Sequence, residues 1–189
     1  MNTPAHAIVN LLLFSKTKRE RYPLAIIIGA LLPDLPMFVF YVWSRLSGHA
    51  ERYIWKSGYF EPGWQAVFDA FHSFPLLVAA WFVCWHLKKT WLSVFFASMI
   101  LHSCFDFPLH HNDAHHHFFP FSDWQFLSPV SYWDPAYYGR IVGPIELFVV
   151  LAGGAWLLRT SGHVWIKRAV SLVLFMYLAF WAFAALLWM

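Results

Sequence analysis

Long apolar runs separated by short polar turns organise this sequence. Residues Pro4 to Phe14 (PAHAIVNLLLF) are apolar but too short to cross a bilayer, which takes about 20 residues at about 1.5 Å each. A half-helix or re-entrant segment is expected there, started by Thr3 and Pro4 as cap and first-turn residue. The basic turn SKTKRERY leads into a run from Leu24 to Trp43, long enough to cross and interrupted by Gly29, Pro33 and Pro36 around Asp34. A polar, aromatic connection, Ser44 to Gly63, precedes a run from about Trp64 to His86. Lys88 and Lys89 then turn the chain into a run from about Thr90 to Pro108. A loop over about 109–140, rich in His, Trp, Tyr and Pro, separates this from Ile141 to Leu158, and Ala169 to Met189 closes the chain. The pattern predicts an all-α, polytopic helical membrane protein. It would have about five transmembrane helices plus an N-terminal half-helix, in one integral membrane domain over 1–189.

Composition agrees with the bilayer as solvent. Charged residues make up 12% of the chain, about half the usual share of a soluble domain, and mean hydropathy is +0.51. Twelve Trp and eight Tyr suit the headgroup level. The formal charge of +3 is spread through short turns, so it reads as orientation and leaves no nucleic-acid footprint. Lys and Arg are dense in the turns before the first long run, after the second and after the fourth, which fall on one side. That side is expected to be cytoplasmic, with the His-rich loop outside. Basic residues follow the first apolar stretch instead of preceding it, so no cleavable signal peptide is expected. Cys84 and Cys104 each sit within an apolar run and read as packing residues.

Acids and histidines inside the apolar runs carry the candidate chemistry. His102 and Asp106 lie four residues apart, which puts imidazole and carboxylate on one helix face, able to close on one ion. Measured from the cytoplasmic end, His6 and Asp34 come to roughly 15 Å, His102 to roughly 18 Å, His72 to roughly 22 Å and Asp106 to roughly 24 Å. Taken singly, such residues read as packing histidines and capping acids. Taken together at one depth, they form a site for a divalent metal, because each buried acid costs roughly 2.5–3.5 kcal/mol and needs a partner. Asp69, three residues before His72, is a candidate general base or a residue that orients a ligand from behind. A hydrogen-bonded acid at a helix end fits the same spacing. In the loop, His111 and His115 are four apart and could bind metal if that piece is helical, while a solvated tract is the plainer reading.

These residues resemble a known family, the small bacterial membrane-bound metal-dependent hydrolases, with a distant similarity to the zinc-dependent phospholipases C. The likeness is carried by Thr3 with His6, by the Gly-x-Leu-x-Pro-Asp element from Gly29 to Asp34, by His72-Ser73, and by His102-x-x-x-Asp106. The resemblance implies a protein of the bacterial inner membrane that binds divalent metal, zinc above all, through His6, Asp34, His72, His102 and Asp106. The phospholipase pattern continues to further His and Glu ligands, for which His111, His115 and Glu146 are the matches in this chain. Two departures stand out: PDLP lacks a second acid after Pro-Asp, and FDAFHS lacks a His-Arg-Gly element, with Asp69 a substitute for one missing group.

Together these readings predict a membrane-embedded hydrolase of a phosphoester or ester in a lipid or lipid-linked substrate. Metal-activated water would do the chemistry, in a site opening to the extracytoplasmic side. The aromatic, Pro-rich stretch after His117 suits an interfacial lid over that site. A metal or proton transporter is the alternative, since intramembrane acids and histidines also line ion paths. Haem held between His72 and His102 is a third reading, which the surrounding carboxylates disfavour.

Overall fold

A computed structural model describes residues 1–15 and 17–188, with the side chains of all of these except 18, 19, 180 and 183–188. Every regular element among the described residues is helical, so the all-α expectation fits. The helices are α1 (Thr3–Phe14), α2 (Pro23–Leu31), α3 (Leu35–Leu46), α4 (Glu51–Lys56), α5 (Pro62–His72), α6 (Phe74–His86), α7 (Thr90–Asp106), α8 (Gly139–Thr160) and α9 (Val164–Trp188).

The shortest of the apolar runs is the most enclosed. Pro4 in its first turn presets the helical φ of α1. Asn2, at the capping position, sends its side chain elsewhere: its Nδ2 donates to Glu146 Oε1 at 2.6 Å and its backbone N–H to Oε2 at 3.2 Å. Tyr177 of α9 donates its hydroxyl to the same carboxylate, which ties the start of α1 to α8 and α9. With Ala5, His6, Ala7, Ile8, Asn10 and Leu11 buried, α1 is covered almost all round, packing against α2, α7, α8 and α9. Ile8 and Leu11 meet Ile26, Val94, Val150 and Val170 in the main core. A separate cluster of Phe40, Ile54, Tyr59 and Phe68 closes the gap between α3, α4 and α5.

The expected five transmembrane helices are not found among the described residues. Among these, two stretches, Pro23–Leu46 and Gly139–Thr160, are long and apolar enough to cross a membrane. α5 and α6 would make a third only if the pair, bent by 42°, were counted as one span. The reasons are local. The run expected over Trp64 to His86 breaks at Ser73, whose extended backbone ends α5 and whose Oγ accepts from Leu76 N to start α6, with Pro75 in its first turn. The run expected to Pro108 ends as a helix at Asp106 after 17 residues, about 26 Å of rise against a hydrocarbon core of about 30 Å. The expected closing span runs to Met189, which lies outside the described residues.

Two breaks position the chemistry. Pro33 and Pro36 deny the helix their N–H groups, and the ladder tightens to a 3-10 turn over Leu32–Asp34 between α2 and α3. Beside it, α2 and α7 approach closely because Gly29 has no side chain: a Cβ there would lie 2.3 Å from the Phe95 carbonyl oxygen and 2.9 Å from Ser98 Cβ. That approach brings the Ala30 carbonyl within 2.7 Å of His102 Nδ1. Gly29→Ala should therefore lower stability by about 2 kcal/mol or more in detergent unfolding. Gly63→Ala, where nothing lies within 4 Å, should leave stability unchanged or slightly raised.

Candidate metal centre

Four side chains from three parts of the chain converge at the C-terminal end of α7. Asp34 from the 3-10 turn, His72 from the end of α5, and His102 and Asp106 from α7 offer one ligand atom each, all within 4.8 Å of one another and all buried. His102 Nε2 lies 2.9 Å from Asp106 Oδ2 and 3.4 Å from Asp34 Oδ1. His72 Nε2 lies 3.8 Å and 3.7 Å from the same two oxygens, and 3.3 Å from His102 Nε2. A tetrahedral zinc with bonds of about 2.0–2.1 Å sets its ligand atoms about 3.3 Å apart, so these separations suit one ion.

The outer contacts decide which atoms face inward. Carbonyl oxygens only accept, so His72 Nδ1 must donate to Phe68 O at 2.8 Å and His102 Nδ1 to Ala30 O at 2.7 Å. In a neutral ring this leaves the Nε2 lone pair facing the centre. The carboxylates are sorted in the same way. Thr3 Oγ1 donates to Asp34 Oδ2 at 2.5 Å, leaving Oδ1 towards the imidazoles. Asp106 Oδ1 takes the Met1 ammonium at 2.6 Å and His6 Nε2 at 3.0 Å, while its Oδ2 is buried without a hydrogen-bond donor. Two imidazole nitrogens and two carboxylate oxygens thus present lone pairs to one another, a set that a divalent cation satisfies. Among the described residues, this is the one group of three or more His, Cys, Asp or Glu close enough to share an ion.

The remaining candidates surround this group. His6 stacks on His102 with ring centroids 3.6 Å apart and meets Asp106 from outside, so it buttresses the four and stands apart from them. His115 lies flat on His72 at 3.8 Å, and burial, with His72 beside it, pushes its imidazole down to about 4. His111 turns away, donating from Nδ1 to Ser128 O at 2.6 Å and stacking on Tyr137. Glu146 is engaged by Asn2 and Tyr177, away from the centre. Asp69 faces the loop: its oxygens accept from His116 N at 2.9 Å and His116 Nδ1 at 2.8 Å.

His110 is the neighbour that sequence reasoning passed over. Its Nε2 lies 3.3 Å from Asp106 Oδ1 and its Nδ1 3.0 Å from Asp113 Oδ2. Burial and the N-terminal ammonium push this imidazole down, but Asp106 and Asp113 outweigh them and carry it up to about 9. The signal was the repeat of four: His102, Asp106 and His110 keep one spacing although Pro108 lies between the last two.

No family model, curated protein or solved structure matches this chain.

Because His111 makes its contacts elsewhere, His111→Ala should leave the divalent metal content of the purified protein unchanged. Asp106→Ala should abolish it and cost about 3–5 kcal/mol of stability, since it strips the partner from several buried polar groups. Elemental analysis and thermal unfolding of both variants check this.

Proposed function

We propose that the protein is a membrane-embedded, metal-dependent hydrolase of a phosphoester or ester in a lipid-like substrate, with zinc as its ion. It would belong with the small bacterial membrane-bound hydrolases that its motifs resemble. One observation carries the reading: two imidazoles whose Nδ1 hydrogens are committed to helix carbonyls turn Nε2 towards two carboxylate oxygens that are themselves braced from behind. When bound, a divalent ion supplies a water of pKa near about 7 and polarises a phosphoryl or acyl oxygen.

The chain's own residues do the rest. His72 and His102 present fixed nitrogens, and Asp34 and Asp106 contribute negative charge that favours a dication over a monocation. Asp34 is the most open of the four, its side chain 11% exposed, so substrate approaches on its side. Next to it along the chain, Leu35 and Phe38 are about half exposed on a helix long and apolar enough to cross a membrane. That surface favours an acyl chain lying beside the centre. The ring of His115 covers His72, and in the same loop Trp124 meets both Phe107 and Phe118.

Detergent-purified protein should carry stoichiometric divalent metal that Asp34→Ala and His72→Ala lose. It should also release phosphate or fatty acid from one member of a panel of phospholipids and lipid phosphates. Turnover should fall at least about 100-fold with a chelator and return with zinc. Absence of bound metal, or turnover that survives in His72→Ala, would overturn the proposal. Metal flux into proteoliposomes without hydrolysis would replace it with transport.

A further inference from the structure

The break between α5 and α6 frees the Phe74 N–H that a continuous helix would have paired, and the loop after α7 takes both it and the Ser73 hydroxyl. Phe74 N–H donates to the His117 carbonyl at 2.8 Å, and Ser73 Oγ donates to the Phe119 carbonyl at 2.5 Å. One turn before the break, Asp69 is 3% exposed and grips the same piece of loop through the backbone N–H and Nδ1 of His116. His115 Nδ1 sits 3.8 Å from its Oδ1. The stitched segment, residues 115–119, lays the His115 ring on His72 at 3.8 Å with only 14° between the planes. It also sets His117 against Phe74.

We propose that Asp69 is a positioning residue of the metal centre. It clasps the 115–119 segment across the break at Ser73, so that His115 holds the His72 ring in the orientation that presents Nε2. The role rests on the reading that the four-residue centre binds a divalent ion. It differs from general-base catalysis, because both carboxylate oxygens of Asp69 are occupied by His116. His72 needs such support more than His102 does. His102 sits within α7, with His6 stacked on it, whereas His72 is the last residue of a helix that ends at the break.

The test loads the full-length protein in detergent with cobalt(II) and follows affinity by chelator competition, the visible cobalt bands, and amide hydrogen exchange. Asp69→Ala and His115→Ala should each keep one cobalt per chain and bind it about 10–100-fold more weakly, with shifted bands. The double variant should be no weaker than the worse single one, because both act through the same contact. Asp69→Asn keeps an acceptor for His116 N–H and should fall between. In Asp69→Ala, the amides of His116 and Phe74 should lose protection.

Affinity within twofold of wild type with unchanged bands would overturn the proposal. So would complete loss of cobalt, which would make Asp69 a ligand. If Asp69→Ala fails to fold by circular dichroism, Asp69→Asn is judged by the same criteria. If the wild type takes up no cobalt, the metal reading falls, and the clasp is judged on exchange alone: unchanged protection at His116 and Phe74 refutes it, and lost protection supports it.

Discussion

A carboxylate with almost no solvent, at the last turn of α7, is what the site's residues have in common. Asp106 meets His102 of its own helix, His72 of α5, His6 of α1 and His110 of the following loop. Taking such a group out of water is costly, and the cost is offset where these elements come together around it, with the Met1 ammonium and His6 donating to Oδ1. The approach of α2 to α7 at Gly29, the enclosure of α1 and the folding-back of the loop all serve that meeting. One oxygen is satisfied by donors outside the centre and the other is left facing the imidazoles, so the residue both binds the bundle and orients the chemistry.

Much of the centre was legible from spacing. His102 and Asp106 share a face by the helical repeat, and the prolines around Asp34 announced a broken helix that could aim a carboxylate inward. Counting residues up from one side of the membrane placed His72 at a similar level. Residues paired across long separations were harder to place. His6 fits the same depth, yet whether it faces the middle of the four-residue group or the back of Asp106 depends on how α1 rotates against α7, and hydropathy carries no information on that. His111 and His115, four apart, would share a face on a helix, but the segment is irregular: one goes to Ser128 and Tyr137, the other to His72. The span count failed for a related reason. An apolar run measures hydrophobicity, and it does not register where Ser73 and Pro75 divide a run or where a helix stops at a charged residue.

Helix breaks are therefore as informative here as helices. Both sit beside residues of the candidate centre: the 3-10 turn carries Asp34, and the break at Ser73 follows His72. In an apolar medium, irregular backbone needs partners from elsewhere in the protein. In this fold the Ala30 carbonyl goes to His102 and the Phe74 N–H to the His-rich loop, so what repairs the backbone also orients the side chains.

The burial of α1 has a consequence for how the molecule is assembled. Its twelve residues pack against α7, α8 and α9, all of which leave the ribosome long after α1 does. The Asn2 contact with Glu146 spans 144 positions of sequence. Closing loops of that length is entropically slow, and α1 is too short to hold a transmembrane position on its own in the meantime. Although made before them, α1 is thus docked late, and its Asn2 contact with Glu146 closes only once α8 is in place.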